Sequence, residues 1–79
     1  MLKNKFELNI IQNSIALRKA NNLTQRDIAK LLNTSAGYIG QVESKNSPSM
    51  YSYNQLNKLA QAFKCSPKDF MPEGPIEEE

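Results

Sequence analysis

Apolar residues in the first quarter of the chain recur at helical spacing. Residues from about Glu7 to Asn21 include no proline or glycine and many good helix formers, which predicts a long first helix. Successive residues of a helix are ~100° apart, so its apolar residues fall into two rows more than a quarter-turn from each other. We therefore expect this helix to be covered on two sides. The two rows are Phe6, Ile10 and Leu17, and Leu8, Ile11 and Ile15.

Polar residues mark the two ends of a short second helix. Thr24 and Asp27 have the spacing of a capping box, in which each side chain accepts a backbone N–H of the other residue. Asn33 follows the apolar stripe of residues 28–32, and asparagine tolerates the left-handed conformation that ends many helices. This pattern predicts a helix that is followed at once by a tight turn.

A third helix is predicted from a cap at Thr34 or Ser35 to about Glu43. Ile39 and Val42 are three residues apart and are expected to face inward. The opposite face carries unusually small side chains. Its residues are Ala36, Gly37, Gly40 and Gln41.

A polar loop over Ser44–Ser52 separates these helices from a fourth one. The fourth helix is indicated by apolar residues at helical spacing. Ser66 and Pro67, with Asp69 behind them, predict a last short turn. The fold class is therefore all-α, a compact bundle of about five short helices. The apolar residues of the fourth helix are Tyr53, Leu56, Leu59, Ala60 and Phe63.

The length of 79 residues leaves room for one domain, expected over residues 1–71, with a solvated acidic tail over residues 72–79. The net charge of +2 hides an asymmetry, because residues 1–72 contain ten Lys and Arg against four Asp and Glu, a net charge of +6. Such a body attracts polyanions.

The chemistry of the side chains argues against several classes of protein. There is no histidine, no glycine-rich phosphate loop and no acid pair with a plausible pocket, so no enzymatic activity, metal, cofactor or small-molecule ligand is expected. A single cysteine, Cys65, indicates a reducing cytoplasm, and it is interpreted as a small buried residue, with a redox sensor as the alternative. Apolar runs of only a few residues predict no membrane segment.

Two short helices joined by a tight turn suit either a DNA-binding helix-turn-helix or a plain helical bundle, and spacing alone leaves both open. The order of residues favours the first, because the chain resembles the Cro and phage-repressor type (XRE-like) helix-turn-helix family over roughly residues 10–71. This resemblance implies a lambda-repressor-like fold. It is carried by Leu23-Thr24-Gln25-Arg26-Asp27-Ile28-Ala29-Lys30-Leu31-Leu32, Ser35-Ala36-Gly37-Tyr38-Ile39-Gly40-Gln41-Val42-Glu43, Pro48-Ser49 and Leu56-Asn57-Lys58-Leu59-Ala60-Gln61-Ala62-Phe63.

The resemblance implies a set of DNA-contacting positions on the second and third helices and the loop that follows. Gln25 corresponds to a glutamine that contacts a phosphate and braces the recognition helix. Gln41 corresponds to a base-reading position, where glutamine can pair with adenine. Tyr38 either reaches a phosphate or packs beside Ile39. The complete set is Thr24, Gln25, Ser35, Ala36, Gly37, Tyr38, Gln41, Lys45 and Asn46.

Arg18 and Glu43 correspond to a structural salt bridge of the family. The chain departs from the family pattern in two regions. The loop Ser44–Ser52 is about two residues longer than usual and lacks a glycine after Glu43. The second region is the first helix. There, Ser14 stands where an aliphatic residue is preferred and Ile15 where a polar one is.

The function implied is a transcriptional regulator, more specifically a repressor, that binds double-stranded DNA as a homodimer on two half-sites about one DNA turn apart. The alternative is a protein-interaction module of the same fold, such as an antitoxin-like or anti-repressor partner, which the absence of a side chain at Gly37 favours slightly. The apolar row of Leu8, Ile11 and Ile15 on the first helix is the alternative candidate for the dimer interface. The main candidates for that interface are Leu59, Phe63, Phe70 and Met71.

Overall fold

The computed structural model describes residues 2–78, and these contain helices but no strand. The predicted all-α fold is confirmed, with four α-helices and one short 3-10 helix in place of the fifth α-helix. The elements are α1 (Lys5–Ala20), α2 (Gln25–Leu31), α3 (Ala36–Glu43), α4 (Tyr53–Phe63) and the final 3-10 helix (Pro67–Phe70).

Side-chain caps set the helix boundaries. The predicted capping box of Thr24 and Asp27 opens α2, and Asn33 has the left-handed φ of 55° expected after its end. The start predicted for α1 was wrong by two residues, because Asn4 caps the helix and exchanges hydrogen bonds of 2.8 and 2.9 Å with Glu7. This capping box was not predicted from the sequence.

Both apolar rows of α1 reach the core, as their angular separation predicts. Ile10 and Ile11 are buried, and the departure from the family pattern at Ser14 is accommodated because its buried hydroxyl donates to the Ile11 carbonyl at 2.7 Å. Ile15 is half-buried against the same core.

One residue was wrongly assigned to the apolar face of α4. Tyr53 is the first residue of that helix and is 87% exposed.

Three of the four residues predicted to form a dimer interface belong to the core of the single chain. Leu59, Phe63 and Phe70 are 1%, 7% and 0% exposed, and the two phenylalanine rings pack with centroids 6.2 Å apart. A buried side chain has no surface to offer a second copy, so these three are withdrawn as interface candidates. Met71 is half-buried, and the alternative row also has its central residue, Ile11, in the core.

The acidic segment after Pro72 is mostly exposed, and one of its side chains contacts the start of α1. The Glu78 carboxylate accepts hydrogen bonds from the backbone N–H groups of Lys5 and Phe6 at 3.0 and 2.9 Å. It thereby occupies the amino-terminal end of α1, where a helix dipole favours negative charge. The last residue of the predicted tail, Glu79, lies outside the described residues.

Cys65 is half-buried, and burial raises the pKa of its thiol. A raised pKa lowers the thiolate fraction, which is the opposite of what a redox sensor needs. Within residues 2–78, no helix has the length and apolar character to cross a membrane, and no cluster of three or more Cys, Asp or Glu side chains is placed to hold a metal ion.

Candidate nucleic-acid interface

α2 and α3 pack directly against each other across the tight turn at residues 32–35, with Ile39 and Val42 of α3 completely buried. The side of α3 away from the core is exposed at Ala36, Gly37 and Gln41. Gly37 and Gln41 are one turn apart and therefore lie within ~40° of each other on the helix surface. This exposed face of Ala36, Gly37 and Gln41, called the ridge below, has only small side chains apart from the amide of Gln41 at its end.

Glu43 is the last residue of α3, and its carboxylate points away from this ridge. Its two oxygens accept from Nε and Nη2 of Arg18 at 2.8 and 2.9 Å, and the side chains of the pair are only 12% (Arg18) and 7% (Glu43) exposed. Arg18 also donates through Nη1 to the Leu23 carbonyl at 3.0 Å. One guanidinium therefore ties the end of α1 to the start of α2 and the end of α3.

Gln25 joins the same network from the first turn of α2. Its Nε2 donates to Oε1 of Glu43 at 2.9 Å, and its Oε1 lies beside Gly40, 3.8 Å from where a Cβ would stand. The side chain remains exposed. Gln25 is thus fixed against α3 at the surface, which is the bracing that the family resemblance implies for this position.

The residues that cap α2 and α3 present further polar groups beside Gln25 and the α3 ridge. Thr24 Oγ1 accepts from Asp27 N–H, and Ser35 Oγ accepts from Tyr38 N–H, each at 3.1 Å. Both hydroxyls are on exposed residues and keep their own proton for another acceptor. The Thr24 backbone N–H in turn donates to Asp27, which lowers the pKa of that carboxyl group.

The Tyr38 hydroxyl does not face outward. It donates to the Met50 carbonyl at 2.7 Å and lies 3.0 Å from Oε1 of Gln55, at the far end of the loop that follows α3. Since its one proton is used, the hydroxyl has none to donate to a phosphate. Tyr38 is half-buried against the core, which agrees with the packing role rather than the phosphate role, and its hydroxyl also anchors the loop.

The loop itself exposes Lys45 and Asn46 next to the end of α3. Beneath the loop, Lys3 is only 3% exposed, and its ammonium donates to backbone carbonyls of the loop and of the end of α3. This contact was not predicted from the sequence. The sequence carries one indication that Lys3 is fixed in place. Asn4 and Glu7 have the spacing of a capping box, which places the start of α1 next to Lys3 and gives the preceding residues a fixed position.

Comparison with known proteins agrees with this geometry. A family model described as helix-turn-helix matches residues 15–70, which include α2, α3, α4 and the final 3-10 helix. No curated protein and no solved structure shows a significant match. The match covers well over half of the chain, and it spans both the tight turn and the exposed ridge of α3. The chain therefore belongs to the Cro/C1-type (XRE-like) helix-turn-helix family of DNA-binding regulators.

Proposed function

We propose that this chain is a sequence-specific transcriptional repressor that inserts α3 into the major groove of double-stranded DNA. The observation that carries the proposal is the contrast along α3, where Ala36, Gly37 and Gln41 are exposed while Glu43 is turned into an ion pair. A carboxylate on the exposed side would be repelled by phosphates. Small residues there allow the helix backbone to approach the edges of the bases.

Gln41 is the residue proposed to read sequence most directly. A glutamine amide can pair with N6 and N7 of adenine, and a good bidentate pair discriminates against a wrong base by about 1–3 kcal/mol. Ala36 is proposed to touch a thymine methyl group, whereas Gly37 offers no side chain. With so few readers, a larger share of the specificity is expected to come from the shape and deformability of the DNA.

The groups around the ridge are proposed to contact phosphates and so fix the helix in the groove. On one side of the ridge, the proposed phosphate contacts come from Gln25 and from the free hydroxyl protons of Thr24 and Ser35. On the other side they come from Lys45 and Asn46. Contacts of this kind set register and orientation and do not carry sequence information themselves.

Lys45→Ala is expected to weaken binding to specific and scrambled DNA equally. Each phosphate that a cation neutralises contributes about 0.9 to the slope of log K against log salt, so the slope should fall by roughly one. The measurement is a fluorescence-anisotropy titration at several salt concentrations. Lys58→Ala, which removes an exposed lysine of α4, is the matched control and should leave the slope unchanged. An unchanged slope in Lys45→Ala would remove this residue from the interface.

Substitutions at the two glycines of α3 separate an effect on the stability of the fold from an effect on DNA binding. Neither has a positive φ, and a Cβ would stand 3.8 Å from Ser35 Oγ at Gly37 and 3.8 Å from Gln25 Oε1 at Gly40. Gly37→Ala and Gly40→Ala should therefore each stabilise the fold by up to ~1 kcal/mol in urea unfolding. Gly37→Ala should at the same time weaken DNA binding, because the added methyl group lies on the ridge. Tighter binding by Gly37→Ala would contradict a close approach of the backbone at this point.

The function is tested by selection of random duplex DNA with the purified protein at ~150 mM salt, followed by titration of the selected site and a scrambled control. A palindromic site preferred by ~10³-fold or more supports a sequence-specific regulator that binds as a homodimer to half-sites one DNA turn apart. Binding without preference, or no binding, would overturn the proposal and favour the alternative of a protein-interaction module.

A further inference from the structure

The side chain of Lys3 lies under the loop that follows α3. Its ammonium donates to the carbonyl of Gln41, at 3.4 Å, and to the carbonyls of Ser44 and Ser47. At 3% exposed, Lys3 is among the most buried polar residues of the described chain. Burial lowers the pKa of its ammonium, and the negative charge of Glu7 acts in the opposite direction.

The carbonyls that Lys3 contacts lie at and just beyond the carboxyl-terminal end of α3. The last carbonyls of any α-helix have no partner within the helix, and a left-handed glycine commonly redirects the chain so that later N–H groups reach them. Here the residue at the end, Ser44, is extended, with φ −89° and ψ 131°. The Gln41 and Ser44 carbonyls each accept one backbone N–H, from Ser44 at 3.1 Å and from Ser47 at 3.4 Å. Lys3 adds a second donor to both carbonyls and places a positive charge at the negative end of the helix dipole.

The residues around Lys3 are themselves fixed. Leu2 N–H donates to the Lys45 carbonyl at 3.2 Å, and Asn4 is locked to α1 by its capping box with Glu7. At the far end of the loop, the Tyr38 hydroxyl holds the Met50 carbonyl. The loop is thus pinned at both ends, with the exposed side chains of Lys45 and Asn46 between the two anchors.

We propose that Lys3 is a positioning residue for DNA binding, which clamps the loop after α3 and so holds Lys45 and Asn46 where they meet phosphates. The role in binding rests on the proposed function, whereas the clamp itself is a property of the free protein. Lys3 lies before the family-matched residues 15–70, so the clamp is made by a residue outside the part of the chain that the family model matches.

The clamp is tested with Lys3→Met in the full chain, which keeps an unbranched apolar stem of similar length and removes the ammonium. Lys5→Met is the matched control, because Lys5 is exposed and its substitution changes the net charge equally. In the DNA-free protein, amide exchange of Ser44 and Ser47, followed by NMR, should accelerate about tenfold in Lys3→Met and stay unchanged in Lys5→Met. Unchanged exchange in both variants would overturn the clamp.

The role in DNA binding is measured separately on the selected site. Lys3→Met should lose about tenfold in affinity, because the phosphate contacts of the loop are weakened together, and Lys5→Met should lose much less. Equal losses in the two variants would mean that Lys3 acts only through its charge, which overturns the positioning role. If wild-type protein binds no DNA, the proposed function fails while the exchange result still decides the clamp. Should Lys3→Met not fold, Lys3→Gln, whose amide can keep one carbonyl contact, gives the same comparison.

Discussion

Glu43→Ala is expected to destabilise the fold by about 3–5 kcal/mol, because it leaves the guanidinium of Arg18 largely buried without its counter-charge. Arg18 is 12% exposed in its side chain and contacts both carboxylate oxygens of Glu43. The total stability of a domain is only about 5–15 kcal/mol, so this one change removes a large part of it. Urea unfolding followed by far-UV circular dichroism gives the measurement.

A double variant shows whether the loss comes from the unpaired charge. Arg18→Met combined with Glu43→Leu replaces both ions by apolar side chains, and it should recover much of the lost stability, since no buried charge remains alone. Gln25 would lose its acceptor in this variant, but its exposed amide can bond to water. A Glu43→Ala protein within ~1 kcal/mol of wild type would contradict the structural role given to this pair.

The helices were predictable because their ends are set by local chemistry. Thr24 with Asp27, Asn33 and Ser35 lie within a few residues of the groups they cap, so the α2–turn–α3 unit follows from sequence spacing alone. The final turn from Ser66 is of the same kind. The exposed ridge of α3 could be predicted as well, because Ile39 and Val42 fix which side of the helix faces inward.

What could not be predicted depends on contacts between residues far apart in the chain. An apolar stripe shows that Leu59 and Phe63 are covered, but not whether a second copy or the chain's own Phe70 covers them. The Tyr38 hydroxyl and the Lys3 ammonium find backbone carbonyls, and such acceptors have no sequence signature. The capping of α1 by Glu78 spans 73 residues and lay equally beyond a local pattern.

The second large effect is expected at Gln41, where Gln41→Ala should abolish much of the preference for the selected DNA site. The exposed amide has no partner in the free protein among the described residues, and its removal should cost about 1–3 kcal/mol, or roughly 5- to 150-fold, on the selected site. Binding to scrambled DNA should stay the same, because phosphate contacts are retained. The backbone carbonyl that Lys3 contacts is also unchanged by this substitution.

The measurement is a pair of titrations, on the selected site and on variants of it with one base pair changed at a time. Gln41→Ala should become indifferent to one position in each half-site, which identifies the base that the amide contacts. Gln61→Ala, an equal truncation on the exposed side of α4, should keep every preference. If Gln41→Ala instead keeps the full preference, Gln41 reads no base, and the specificity of this small-residue ridge must then come from DNA shape and from backbone approach at Gly37.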